Sequence, residues 1–97
     1  MSDPHATQFI RSAMPLCATL GIAAEQATAD RVVLTLDWSA ELCTTAGLLH
    51  GGALMALADA AGGACAFLNL PEGAKGTSTI ESKTNFLGAV KEGTLVA

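Results

Sequence analysis

Basic residues are scarce: five Lys and Arg stand against nine Asp and Glu, giving a net charge of −4 and a pI of about 4.8. That balance argues against a nucleic-acid partner, which needs a positive stripe. No Lys or Arg occurs between Arg31 and Lys75. Cysteine is also sparse. Cys17, Cys43 and Cys65 are odd in number and widely spaced, and no Cys-x-x-Cys or His-x-x-x-His pair exists. A zinc site is therefore not expected, and reduced thiols in a cytoplasmic protein are the simplest account. The polar N-terminus, MSDPHATQF, lacks the basic region and apolar core of a signal peptide. Repeats, low-complexity segments and interdomain linkers are missing as well, so residues 1–97 read as one domain. No metal and no cofactor are expected.

Apolar residues are plentiful, at 51%, and the mean hydropathy of +0.44 is high for a small soluble monomer. A chain this short buries a smaller share of its surface than a larger one. It either spans a membrane or buries surplus surface against copies of itself. Residues 51–68 are long enough to span, and Gly47-x-x-x-Gly51 mimics a helix-packing motif. Asp59, however, sits at the centre, where an acid costs roughly 2.5–3.5 kcal/mol on insertion scales. The stretch is rich in Ala and Gly, and no basic residue flanks its start. A homo-oligomer without membrane contact is the expectation.

Residues 1–4 look disordered. Phe9, Ile10, Met14 and Leu16 place a short amphipathic helix over 5–17, ended or kinked by Pro15. Residues 18–26 form a weak strand, and Thr28-Ala29-Asp30 a turn. Arg31 to Trp38 is the clearest strand. Val32, Leu34, Leu36 and Trp38 make its buried face, and Val33, Thr35 and Asp37 its mixed face. A helix follows from about Gly52 to Leu68 or Asn69, apolar all round and therefore buried. Lys75 to Leu87 reads as a long strand, polar on both faces, suited to ligand contact, subunit pairing or plain exposure. Lys91-Glu92-Gly93 turns the chain into a further strand from Thr94. One long helix amid several strands indicates α+β, with the helix against an antiparallel sheet.

Asp59 is the only charge in the long helix. A buried carboxylate without a partner is expensive, and such groups concentrate at functional sites. Its plainer role is to hydrogen-bond a distant group and fix the packing. Gly62-Gly63 on the same side suggests close approach of a backbone or ligand, since Gly inside a helix costs roughly 0.8–1.0 kcal/mol relative to Ala. Upstream, His50-Gly51-Gly52 opens the helix. Unpaired N–H groups and a partial positive charge gather at a helix N-terminus, and glycines let a ligand oxygen approach. Gly51 and Gly52 could then polarise a carbonyl. With Asp59 two turns further on, the parts suit acyl hydrolysis, the acid acting as nucleophile or as general base for water. His50 is read as a turn cap in preference to a proton carrier. A serine-nucleophile reading fails, because no Gly-x-Ser-x-Gly is present.

The run Gly47-Leu-Leu-His50-Gly51-Gly52-Ala-Leu-Met-Ala-Leu-Ala-Asp59 resembles the signature of the PaaI-like acyl-CoA thioesterases of the hotdog-fold superfamily. Thr84-Asn85-Phe86-Leu87 with Lys91-Glu92-Gly93 is similar to that family's next strand and turn. The resemblance implies an α+β hotdog fold, in which a long central helix is wrapped by a curved antiparallel sheet. It also implies a dimer, commonly a tetramer, with acyl-CoA sites between subunits. Asp59 would drive hydrolysis and the Gly51 amide would contact the thioester carbonyl. His50 and Gly52 would shape the substrate loop, and Thr79 would reach the partner subunit's site.

Three positions depart from that pattern. Thr44 stands where relatives often carry an amide that orients thioester or water. Gly63 replaces a Thr found in some relatives, and Gly88-Ala89 an Arg-Pro pair. Relatives also continue beyond Ala97, so the resemblance implies a sheet lacking its final strands. A noncatalytic acyl-binding hotdog module is the alternative function. A hotdog hydratase or dehydratase is disfavoured by the His50-to-Asp59 spacing.

Overall fold

The computed structural model describes every residue from Met1 to Ala97. Helix α1 runs over Pro4–Ala13 and α2 over Pro15–Leu20. Asp3 caps α1 by accepting from the Ala6 N–H at 3.0 Å, which satisfies one of the donors a helix start leaves free. Pro15 splits the expected single helix in two, opening α2 at its first position, and Gly21 closes α2 in the left-handed region (φ 79°). The first residues are ordered, against expectation. The Asp3 N–H donates to Ala24 O at 2.8 Å, and the terminal ammonium pairs with Glu25 at 3.0 Å.

Strands β1 (Ala23–Ala27) and β2 (Val32–Asp37) form a hairpin, and β3 (Thr94–Val96) pairs antiparallel with the other side of β2. A bulge between Ala24 and Gln26 bends β1. Thr7 of α1 seals its outer edge, its hydroxyl accepting from the Ala24 N–H at 2.9 Å. On β2, Leu34 and Leu36 are buried while Val32 and Trp38 on the same face are half-buried. The inward face is therefore the one its alternation predicts.

Helix α3 (Gly51–Leu68) packs on β2. It is not buried all round. Ala53, Leu57, Ala60 and Ala64 form a single buried stripe that joins Ile10, Cys17, Ile22, Ala24, Leu34, Leu36 and Leu49 in one core. Met55, Ala58, Asp59, Gly62, Ala66 and Phe67 face outward. The three-stranded sheet covers only one flank of an 18-residue helix long and apolar enough to cross a membrane.

The expected strand over residues 75–87 does not form. Those residues lie outside every ladder. A strand needs a neighbour for its N–H and C=O groups; β2 already has β1 and β3 on its two sides, and residues 75–87 do not reach the open edge of β3. The polar stretch instead lies along α3, where Thr79 bonds Asp59 and the Phe86 ring lies over Gly51.

Candidate active site

Three bonds from outside the helix set the start of α3. Trp38 Nε1 donates to Gly47 O at 3.0 Å. The His50 N–H donates to Leu42 O at 2.8 Å, and the Leu49 N–H to Val90 O at 2.9 Å. The bend between them needs two left-handed residues, Ala46 (φ 61°) and Gly47 (φ 71°). The first is uncommon for a residue with a Cβ. Thr44 lies in this loop with an exposed side chain that makes no hydrogen bond, while its N–H donates to Leu48 O at 2.8 Å.

His50 is the N-cap. Its Nδ1 accepts from the Gly52 N–H at 2.8 Å. A neutral imidazole doing so carries its proton on Nε2. The Gly52 amide is thus already engaged, which leaves Gly51 as the donor for a ligand: its N–H has no acceptor in the chain. Both glycines also have internal reasons to be there. A Cβ on Gly52 would stand 2.9 Å from His50 Nδ1, and one on Gly51 would stand 3.0 Å from Phe86 Cζ. We expect His50→Ala to cost about 1 kcal/mol in chemical denaturation, as N-cap losses do, and His50→Asn to retain most of the stability.

Asp59 projects from the outer side of α3 and is exposed, contrary to the burial expected for this helix. Thr79 Oγ1 donates to its Oδ1 at 2.5 Å. Thr79 therefore meets its own chain's acid, whereas the resemblance sends it to a partner's site. A groove of about 950 Å³ opens beside this pair. Asp59, Gly63 and Thr79 line it, together with Gly62, Phe67 and the end of α1. His50 and Gly52 line a separate hollow of about 330 Å³ beside Leu42 and Cys43. The sequence-predicted residues thus fall into two groups. Asp59, Gly63 and Thr79 share one surface, while His50, Gly51 and Gly52 cluster at the helix start. The eight-residue offset from Gly51 to Asp59 corresponds to about 12 Å along the axis.

Gly62 and Gly63 differ from the first two glycines. A Cβ at either would touch nothing within 4 Å. Their cost of roughly 0.8–1.0 kcal/mol each relative to Ala has no packing reason within the chain.

Three contributors escape a sequence reading. Phe86 covers Gly51, and Phe9 with Met14 borders the large groove. The amphipathic pattern of the first helix singles out Phe9 and Met14 but not what they meet; Phe9 is exposed and Met14 half-buried. The cysteines take no part in the groove beside Asp59. All three are free. Burial pushes the Cys17 thiol up, against a smaller opposing pull from Arg11.

A family model for the Thioesterase superfamily matches residues 46–97, more than half of the chain. The chain belongs to the Thioesterase superfamily. Its match begins just before the His50 cap and takes in all of α3, the segment along it and β3. Among solved structures, the chain is similar to thioesterase HI1161 from Haemophilus influenzae, at 27% identity and a TM-score of 0.74. That likeness covers 90% of this chain and 64% of the other, so this member of the superfamily spans under two thirds of that protein's length. No protein of curated function matches it in sequence. The helix-on-antiparallel-sheet architecture is accordingly the α+β hotdog fold.

Proposed function

We propose that the protein hydrolyses an acyl-CoA thioester to the free acid and CoA, in the manner of the PaaI-like branch of its superfamily. The observation carrying this reading is the lone acid of α3, Asp59, held by Thr79 at the edge of a large groove, with a free Gly51 amide on the same helix. In hydrolysis, the carboxylate takes a proton from water as the oxygen adds to the thioester carbonyl carbon. Alternatively, it adds to that carbon itself, loss of the CoA thiolate leaves an anhydride, and water opens it. In both routes the carbonyl oxygen gains negative charge, which a backbone N–H at a helix start stabilises. The C–S bond then breaks, and the CoA thiolate leaves and is protonated.

The separation of about 12 Å between Gly51 and Asp59 favours a site shared between two copies. Reacting groups need to stand about 3–3.5 Å from the carbon they act on. One chain cannot offer both groups to one carbonyl, whereas two copies with antiparallel α3 helices could. The exposed apolar side chains of Met55, Phe67, Phe86 and Leu87 support such a homo-oligomer. His50, Gly52 and Thr44 then border the entry of the thioester, His50 by fixing the loop.

Purified protein offered a panel of aliphatic and aryl acyl-CoAs with a thiol reagent should release CoA from at least one. Thermal stabilisation by acyl-CoA without any CoA release would replace this reading with an acyl-binding module, which the unoccupied Thr44 side chain favours.

A further inference from the structure

The groove beside Asp59 is lined by residues of α3, by the polar segment 76–81, which includes Thr77, Ser78 and Glu81, and by the end of α1. At one end stands the Asp59–Thr79 pair, and along α3 lie Gly62, Gly63 and Phe67. Phe9 of α1 and Met14, just beyond its end, border its other side. From Asp59 to Phe67 the helix advances about 12 Å. Its volume of about 950 Å³ is near the top of the range for small-molecule sites, far more than an acetyl group fills. Along this length, positions 62 and 63 carry no side chain, and the space above them is empty.

We propose that this groove receives the acyl chain of the substrate, and that Phe9 and Met14 set the chain length it accepts. The preferred substrate class is then a linear, medium-chain acyl thioester. The assignment rests on the thioesterase reading above. A slim chain lies along the bare backbone of Gly62 and Gly63 with its carbonyl end toward the carboxylate and its methyl end against α1. A compact acyl group leaves most of that apolar wall wet, and burial of apolar surface is what separates the two in affinity.

The test compares kcat/KM of the full chain on acetyl-, decanoyl-, palmitoyl- and phenylacetyl-CoA, with Gly62→Leu and Met14→Ala beside wild type. Wild type should favour decanoyl-CoA. Gly62→Leu fills the groove from a position where a Cβ meets nothing, and should cut the decanoyl-to-acetyl ratio roughly tenfold or more, the scale of a methylene misfit in an apolar pocket. Met14→Ala should move the optimum toward palmitoyl-CoA. A preference for phenylacetyl-CoA over decanoyl-CoA would overturn the linear-chain assignment. So would a ratio unmoved by both substitutions in proteins whose circular dichroism matches wild type. If no thioester is hydrolysed, the catalytic reading fails separately, and decanoate binding by calorimetry decides the groove. Binding to wild type that Gly62→Leu abolishes supports it, and no binding to wild type refutes it.

Discussion

Asp59→Asn should lower kcat for acyl-CoA hydrolysis by about 10²–10⁴-fold, the usual contribution of a positioned acid–base group. The substitution is nearly isosteric. The Asn oxygen still accepts the Thr79 hydroxyl proton that now reaches Asp59 Oδ1 at 2.5 Å, so the local geometry survives. What is lost is the negative charge that draws a proton from water or attacks the carbonyl itself. Because Asp59 is exposed, stability should change little, and a matched denaturation midpoint would separate a chemical loss from a folding one. Turnover at the parental level would remove Asp59 from the mechanism. A mixing experiment then locates the site. Gly51→Val drives a side chain toward Phe86, whose ring lies 3.0 Å from the first added carbon, and should disable the amide. If the site joins Gly51 of one copy to Asp59 of another, co-refolding this variant with Asp59→Asn restores activity, because each mixed dimer contains one site with both groups intact. A site confined to one chain would show no recovery on mixing.

Leu34→Ala should destabilise the fold by about 2–5 kcal/mol, as emptied core positions do. Leu34 is fully buried on the central strand, with β1 and β3 on either side. Its backbone also exchanges bonds with Ala97, at 2.8 and 2.9 Å. The substitution leaves those bonds in place and removes only side-chain packing, so the loss reports the cavity. For a domain whose whole stability is typically about 5–15 kcal/mol, this is a large fraction, visible as a lowered denaturant midpoint. Asp37→Ala on the same strand gives the contrast. It removes one exposed bond, Thr94 Oγ1 to Asp37 Oδ1 at 2.6 Å, and should cost about 1 kcal/mol or less. Equal losses from the two would contradict a core centred on β2.

Features that depend on near neighbours were legible in the chain's residue order. His50-Gly51-Gly52 marked the helix start because capping works over two or three residues. Alternation in residues 32–38 placed Leu34 and Leu36 inward because side chains along a strand switch faces at every step. Asp59 stood out as the only charge in an apolar run. What lies beside these elements depends on packing between distant segments. Residues 75–87 have strand-forming composition but no ladder, because pairing requires a neighbour that sequence pattern alone does not supply. Helix α3 has an apolar surface all round but one buried stripe, because three strands cover one flank. The four glycines of α3 look alike in sequence, yet Gly51 is fitted to Phe86 and Gly52 to His50, while Gly62 and Gly63 face open space. The distinction is one of distance along the chain. Caps and periodicity act within a turn or two, whereas burial, pairing and the shape of a groove are set by residues tens of positions apart.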